Sequence, residues 1–328
     1  MVRAAPADAR TGKKGGYGSV TYFVRRILAL IPILFLTWSA VFFVFEAIPG
    51  DPVNLMLAGV PASEEVIANE RARLGLDKPL MERYAMFLGR AAVGDLGDSF
   101  RTRAPVTEMI LEQLAPTLQL AGAGLVVGLS VGLFLGVLAG LRPNTWLDTA
   151  CTFTALAGSS LPSFWTGMVL IYVFGSILGW VPIVGTGLDA LILPAIVTGL
   201  FIAGDFARLV RTSIIDASRQ DYIRTARAKG LPPIKIIGKH ALRNALIPPV
   251  TMLGISLSNL IGGAVVTENV FARPGLGTML VDAVLNKDMP LVQALVVYTT
   301  AAYLVINLIV DILYGLIDPR IRHARAMT

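Results

Sequence analysis

The chain has 328 residues, 55% of them hydrophobic, with a mean hydropathy of +0.68 and only 15% charged. A soluble domain carries roughly 25% charged residues, so this composition excludes an ordinary soluble enzyme and indicates an integral membrane protein. The net charge of +6 does not call for nucleic acid, because Lys and Arg gather beside the apolar runs as the positive-inside rule requires. The single cysteine, Cys151, excludes an internal disulfide and a cysteine-built metal site.

Residues 1–24 form a basic, Ala/Gly/Lys-rich tail ahead of Ile27–Phe45, a charge-free run of nineteen residues. That run exceeds the apolar core of about 7–15 residues in a signal peptide. It reads as an uncleaved first span within 25–46. The segment 47–115 is polar enough to lie outside the bilayer. In it, Ser63 is a helix cap before Glu64-Glu65, Gly75 a helix stop, and Pro79 a first-turn residue. Leu80, Tyr84, Phe87 and Leu88 then make one apolar stripe. The stripe fits a lid packed on the spans or a platform for an external partner.

Residues 116–318 hold five further candidate spans, since a helix needs about 20 apolar residues to cross. These are Thr117–Leu141, Thr149–Leu178, Ala190–Gly204 with a turn or two beyond, Ala245–Thr267 and Leu291–Ile317. The stretch 149–188 carries no charge. Gly158-Ser-Ser-Leu-Pro162 interrupts it, so we read one kinked span followed by a Trp180-marked loop; two separate spans is the alternative. With six spans and the N-terminus inside, the inner segments hold nineteen Lys/Arg and the outer ones nine, seven of these in the long 46–116 segment. Long loops weigh little in the rule, so both termini, including the 319–328 tail, are expected in the cytoplasm. Gly124, Gly128, Gly132, Gly136 and Gly140, each four apart, predict a close helix–helix contact.

No phosphate-binding Gly-rich Lys-Ser/Thr loop, His-Glu-x-x-His or Gly-x-Ser-x-Gly occurs, so the sequence offers no catalytic or metal site. His240 and His323 have no cysteine or carboxylate cluster around them. Asp205 lies in the fourth span, i,i+3 from Arg208 with Arg211 beyond, and Asp311 lies in the sixth. Structural pairing or interfacial snorkelling toward the inner leaflet is the expectation for both acids. Ser256, Asn259, Glu268 and Asn307 are polar pathway candidates by position alone.

The most informative stretch is Asp221 to Pro248, a basic, helix-forming segment wedged between two spans, and it overlaps an expected coupling region 205–243. It resembles the cytoplasmic coupling motif of ABC importer permeases. Thr225-Ala226-Arg227 stands for the motif's start, Gly230 for its glycine, and His240-Ala241-Leu242-Arg243 for its end. The acidic and final proline positions depart from the general motif in the manner of the peptide-importer branch. Further matching segments are Ile48–Pro52, Leu74–Pro79, Gly94–Gly97 with Ser99-Phe100, Pro116–Leu118, Phe271–Gly277 and Asp282–Asp288. Together they resemble the first, B-type permease of the dipeptide/oligopeptide/nickel importer family over nearly the whole chain.

The resemblance implies an all-α type I importer permease of six transmembrane helices with a small external helical segment, in the bacterial inner membrane. It implies a heterodimer with a second homologous permease, two cytoplasmic ATPases that bind ATP and Mg, and an external substrate-binding protein. No cofactor and no catalytic residue are implied in this chain. Asp221, Tyr222, Arg224, Ala226, Arg227, Lys229, Gly230, His240, Leu242 and Arg243 would meet the ATPase. Ala226 and Gly230, four apart, are expected to leave a low face that seats in its groove. Short peptides are the favoured cargo; nickel chelates, glutathione or opines are the alternatives, and a self-sufficient secondary carrier is a further reading.

Overall fold

Glycines spaced four apart let two helix backbones touch, and that contact organises the molecule. The computed structural model describes residues 17–51, 53–54, 63–232 and 235–317. The tail 1–16 and the residues from 318 on, His323 included, lie outside them. So do the side chains of His240, Arg243, Asn259 and Asp311.

The long helices are α1 (Tyr17–Glu46), α4 (Val106–Leu141), α7 (Ile192–Ser218), α10 (Ile247–Val270) and α12 (Met289–Ile317). A bent pair joins them: α5 (Trp146–Ser160), and α6 (Ser163–Leu170) continued by a π-helix over Ile171–Ile177. Shorter helices are α2 (Glu64–Arg73), α3 (Leu80–Ala92), α8 (Asp221–Ala228), α9 (Leu242–Ala245) and α11 (Leu276–Leu285). The described residues form helices and connections, with one isolated β-bridge between Asp98 and Pro105.

All five glycines of the α4 series face α7. A Cβ on Gly124 would lie 2.8 Å from the Thr198 side chain, and one on Gly136 would lie 2.5 Å from the Ala207 carbonyl oxygen. The partners advance together, from Gly124 with Thr198 to Gly140 with Ile214, so α4 and α7 run parallel. Parallel neighbours require an odd number of crossings between them. The charge-free 149–188 run therefore crosses once, and the two-span alternative is excluded.

That crossing is more sharply broken than a kink. α5 and α6 meet at 101°, where Leu161 takes extended backbone before Pro162, the conformation favoured for a residue preceding proline. Four helices among the described residues are long and apolar enough to cross a membrane, and the bent pair makes a fifth. α10, at 24 residues, takes the remaining predicted place, and the alternating directions fit six crossings.

Two predicted spans are longer than their apolar runs. α4 begins at Val106, eleven residues before Thr117, carrying Glu108 and Glu112 and passing through Pro116. α7 continues to Ser218, well beyond Gly204. Charged residues lower the hydropathy of these turns without breaking their backbone hydrogen bonds, so composition misplaces the helix ends.

The predicted cap helices form. The Ser63 side chain accepts from the Val66 amide, and Gly75 closes α2 at φ +68°. α3 lays its stripe on α1: the Tyr84 ring lies 5.3 Å from Phe42, and its hydroxyl shares a 2.6 Å hydrogen bond with Ser39. Arg83 grips Glu46 through two hydrogen bonds of 2.8 and 2.7 Å. α3 is thus a lid, whereas α2 buries none of its residues. In this cap the Arg71 guanidinium holds the Asp51 carboxyl below its ordinary range, and Arg90 does the same to Asp95.

Candidate coupling surface and the polar clusters behind it

α8 stands at the end of the molecule opposite the cap. Ile223 and Ala226, three apart, pack into a core of Val210, Ile214 and Ala217 from α7 together with Ile236 and Ala245. α8 is therefore packed against the end of α7. Its other face exposes Asp221, Tyr222, Arg224, Arg227 and Lys229. The 3.8 Å pair of Arg224 with Asp221 is almost fully solvated and contributes little.

The helix ends in a Schellman motif. The Leu231 amide donates to the Ala226 carbonyl at 3.3 Å, and the Gly230 amide to Arg227 at 2.9 Å. Gly230 has φ +73°, and a Cβ there would meet nothing within 4 Å. Its demand is conformational, not steric. The expected low face of Ala226 and Gly230 is corrected: Ala226 points inward, because it shares a helix side with Ile223. Leu242 packs against the same core. What α8 offers another molecule is a row of long cationic side chains and one tyrosine.

Behind α8, the α7–α8 body is tied to the bent pair. Arg211 donates to both carboxylate oxygens of Asp148, at 2.5 and 2.7 Å. Asp148 is buried and also accepts from the Asn144 amide at 2.9 Å. Sequence reasoning placed Arg211 with Asp205 and missed this pair, whose members lie 63 positions apart. The Asp205–Arg208 pair does form, on the exposed side of α7.

A second polar cluster sits at the cap end. Thr117 donates to Glu268 at 2.6 Å and accepts from the Leu276 amide at 2.8 Å. The same carboxylate accepts from the amides of Gly277 at 2.7 Å and Thr278 at 3.3 Å. Three orphan donors in the first turn of α11 are thereby satisfied by residues from α4 and α10, with the negative charge at the positive end of the helix dipole. A Cβ on Gly275 or Gly277 would collide with that carboxylate, which explains glycine at both positions. Nearby, buried Asp288 accepts from the Ser99 hydroxyl at 2.5 Å and the Phe100 amide at 3.0 Å. Four of the matching segments, through Ser99-Phe100, Thr117, Leu276-Gly277 and Asp288, thus converge on two hydrogen-bonded nodes.

This geometry corrects the pathway candidates. Glu268 is fully buried and caps a helix, and Ser256 is buried within the chain, so neither lines an open surface here. Asn307 is half-buried, and its amide donates to the Tyr303 carbonyl at 2.9 Å. Among the described residues no group of three His, Cys, Asp or Glu could hold a metal.

Comparison with known proteins gives this arrangement a family. A model described as the binding-protein-dependent transport system inner membrane component matches residues 132–323, and the N-terminal model of the same component matches 19–121. The chain is 41% identical over 305 residues to the glutathione transport system permease protein GsiC of Escherichia coli O6:H1, covering 93% of this chain and 99% of that one. It is 39% identical over 335 residues to the di/tripeptide transport system permease protein DppB of Pseudomonas aeruginosa, covering 93% and 100%. In fold it is similar to the inward-facing MetNI methionine ABC transporter, with a TM-score of 0.54 and 21% identity over 64% of this chain and 96% of that one. The chain belongs to the family of binding-protein-dependent transport system inner membrane components.

Proposed function

We propose that this chain is one of two transmembrane subunits of an ATP-driven importer of short peptides and forms half of its pathway. α8 is its contact with a cytoplasmic ATPase. Relatives named for glutathione and for di- and tripeptides support the cargo. The lysine and arginine distribution supports a cytoplasmic location for α8 and both termini. The partners in this reading are a second homologous permease, two ATPases that bind ATP and Mg, and a binding protein outside. ATP hydrolysis belongs to the ATPases, and this chain transmits the motion.

The observation that carries the reading is the two-sidedness of α8. One side is buried in the core that holds α7, while the other exposes cations matched by little within the chain. A helix that served only as a connector would need no such mount. Closure of the ATPases would displace α8, and α7 would follow because the two share one core.

The test is to purify the chain, tagged at its N-terminus, from its native membrane in mild detergent and identify what accompanies it. A second permease and ATPases are expected, with the binding protein in the presence of peptide. Recovery of the chain alone under several gentle conditions would overturn the reading in favour of a self-sufficient carrier.

A further inference from the structure

Along the middle of the crossing helices other than α7 the exposed side chains carry no charge and are mostly apolar, Ser130 on α4 returning its hydroxyl to the Val126 carbonyl. On α1 they include Ile31 and Leu36, on α4 Val126 and Phe134, on α12 Val305 and Ile309. α7 differs. Among its exposed positions, Phe201, Asp205, Arg208, Thr212 and Asp216 make one stripe. At its centre the Asp205 and Arg208 side chains are 53% and 62% exposed although ion-paired with each other.

The depth of this pair follows from the α4 contact. Asp205 lies level with Gly132 and Gly136, whose absent side chains make room for Phe206 and Ala207. It is thirteen residues from the cap-end start of α7 at Ile192 and nine from Ile214, which meets Gly140 at the end of α4. At 1.5 Å per residue these are about 20 Å and about 14 Å of helix, together slightly more than a hydrocarbon layer roughly 30 Å thick, which leaves Asp205 within that layer on the inner side of its middle. Charges at such depth do not face lipid; they face a bundle interior or a water-filled cavity. The other sides of α7 are already taken by α4, α5 and α10.

We propose that the α7 stripe centred on Asp205 and Arg208 lines the water-filled pathway, and that the pair receives the opposite charges of a zwitterionic peptide. The carboxylate takes the peptide's ammonium, and the guanidinium takes its carboxylate by two parallel hydrogen bonds. Without cargo the two side chains neutralise each other, which keeps the empty pathway free of a lone charge. The peptide part of this proposal rests on the function proposed above.

Two readouts test it on the complete importer with its binding protein and ATPases in liposomes. The first is water access. Phe201→Cys and Thr212→Cys, each in a Cys151→Ser background, meet an impermeant cationic thiol reagent without nucleotide, with lipid-facing Val126→Cys as the reference. Both are expected to react at least tenfold faster than Val126→Cys; equally slow reaction overturns the pathway wall. The second is uptake of alanyl-alanine and of glutathione. Asp205→Asn is expected to reduce uptake at least tenfold per assembled complex, with the complex still recovered. Arg208→Gln should do the same and serves if Asp205→Asn does not assemble. Wild-type uptake in either variant overturns the role of the pair. A wild-type importer that carries neither peptide overturns the cargo reading itself, and the cysteine rates then judge the wall separately.

Discussion

The two ends of the molecule treat hydrogen bonds and charge in opposite ways. At the cap end, Glu268, Thr117 and the first turn of α11 satisfy one another inside the protein, and glycines 275 and 277 leave no room for anything else. At the other end, α8 is held by Ile223 and Ala226 while its cations stand in solvent and Gly230 borders open space. Both ends carry segments of the same family resemblance. The first uses its motif to complete this chain, the second to leave something for another chain. Effects on stability should therefore shrink from cap to α8, and effects on partner binding should grow.

The largest loss of stability is expected for Glu268→Ala. It strands two amides and a hydroxyl inside the protein and costs roughly 3 kcal/mol or more, since hydrogen bonds to a charged group are worth about 1.5–3 kcal/mol each. Thermal unfolding of the purified complex would show it, with no comparable drop for any substitution on the exposed face of α8. Next is Gly136→Leu, which drives a side chain into the Ala207 carbonyl and Val210. Overpacking costs about 1–3 kcal/mol, so reduced recovery of folded protein is the expected result.

A double-mutant cycle on Asp148→Ala and Arg211→Ala should give a coupling of about 1–3 kcal/mol, as for contacting residues in one network; additive losses would mean that the clamp is not formed in the membrane. Gly230→Ala forces an alanine into left-handed backbone and costs about 1–2 kcal/mol. Gly230→Glu carries the same strain and adds an acid beside the cations, so transport should fail while insertion is unaffected. Smallest of all, Arg227→Glu should change stability by less than about 0.5 kcal/mol, as surface substitutions do. The amount of ATPase recovered with the complex should nonetheless fall, which quantitative gel analysis would read.

Local chemistry was legible in the sequence wherever neighbours in the chain determine it. The Ser63 cap, the Gly75 stop, the Pro79 start and the four-residue glycine period each depend on residues within a turn or two, and each has its structural counterpart, although Pro79 stands just before the first turn as the N-cap of α3. Helix ends were misjudged where charged residues extend a helix beyond its apolar run, as Glu108 does at the start of α4 and Arg211 within α7. The inward turn of Ala226 escaped notice because its smallness was weighed without Ile223, three positions earlier. Long-range polar pairs were out of reach: Thr117 meets Glu268 across 151 positions and Ser99 meets Asp288 across 189. No spacing rule links such residues, although a buried glutamate beside a Pro-Gly-Leu-Gly turn is a signal that a helix start needs a distant cap.

Contact between α8 and an ATPase can be measured directly. Tyr222, 40% exposed on its outward face, can be replaced by the photo-crosslinking residue p-benzoylphenylalanine in the intact importer, with Met81 on α3 as the control at the opposite end. Illumination should join this chain to an ATPase from position 222 and not from position 81. An importer that still transports but yields no ATPase adduct from position 222 would contradict the coupling role.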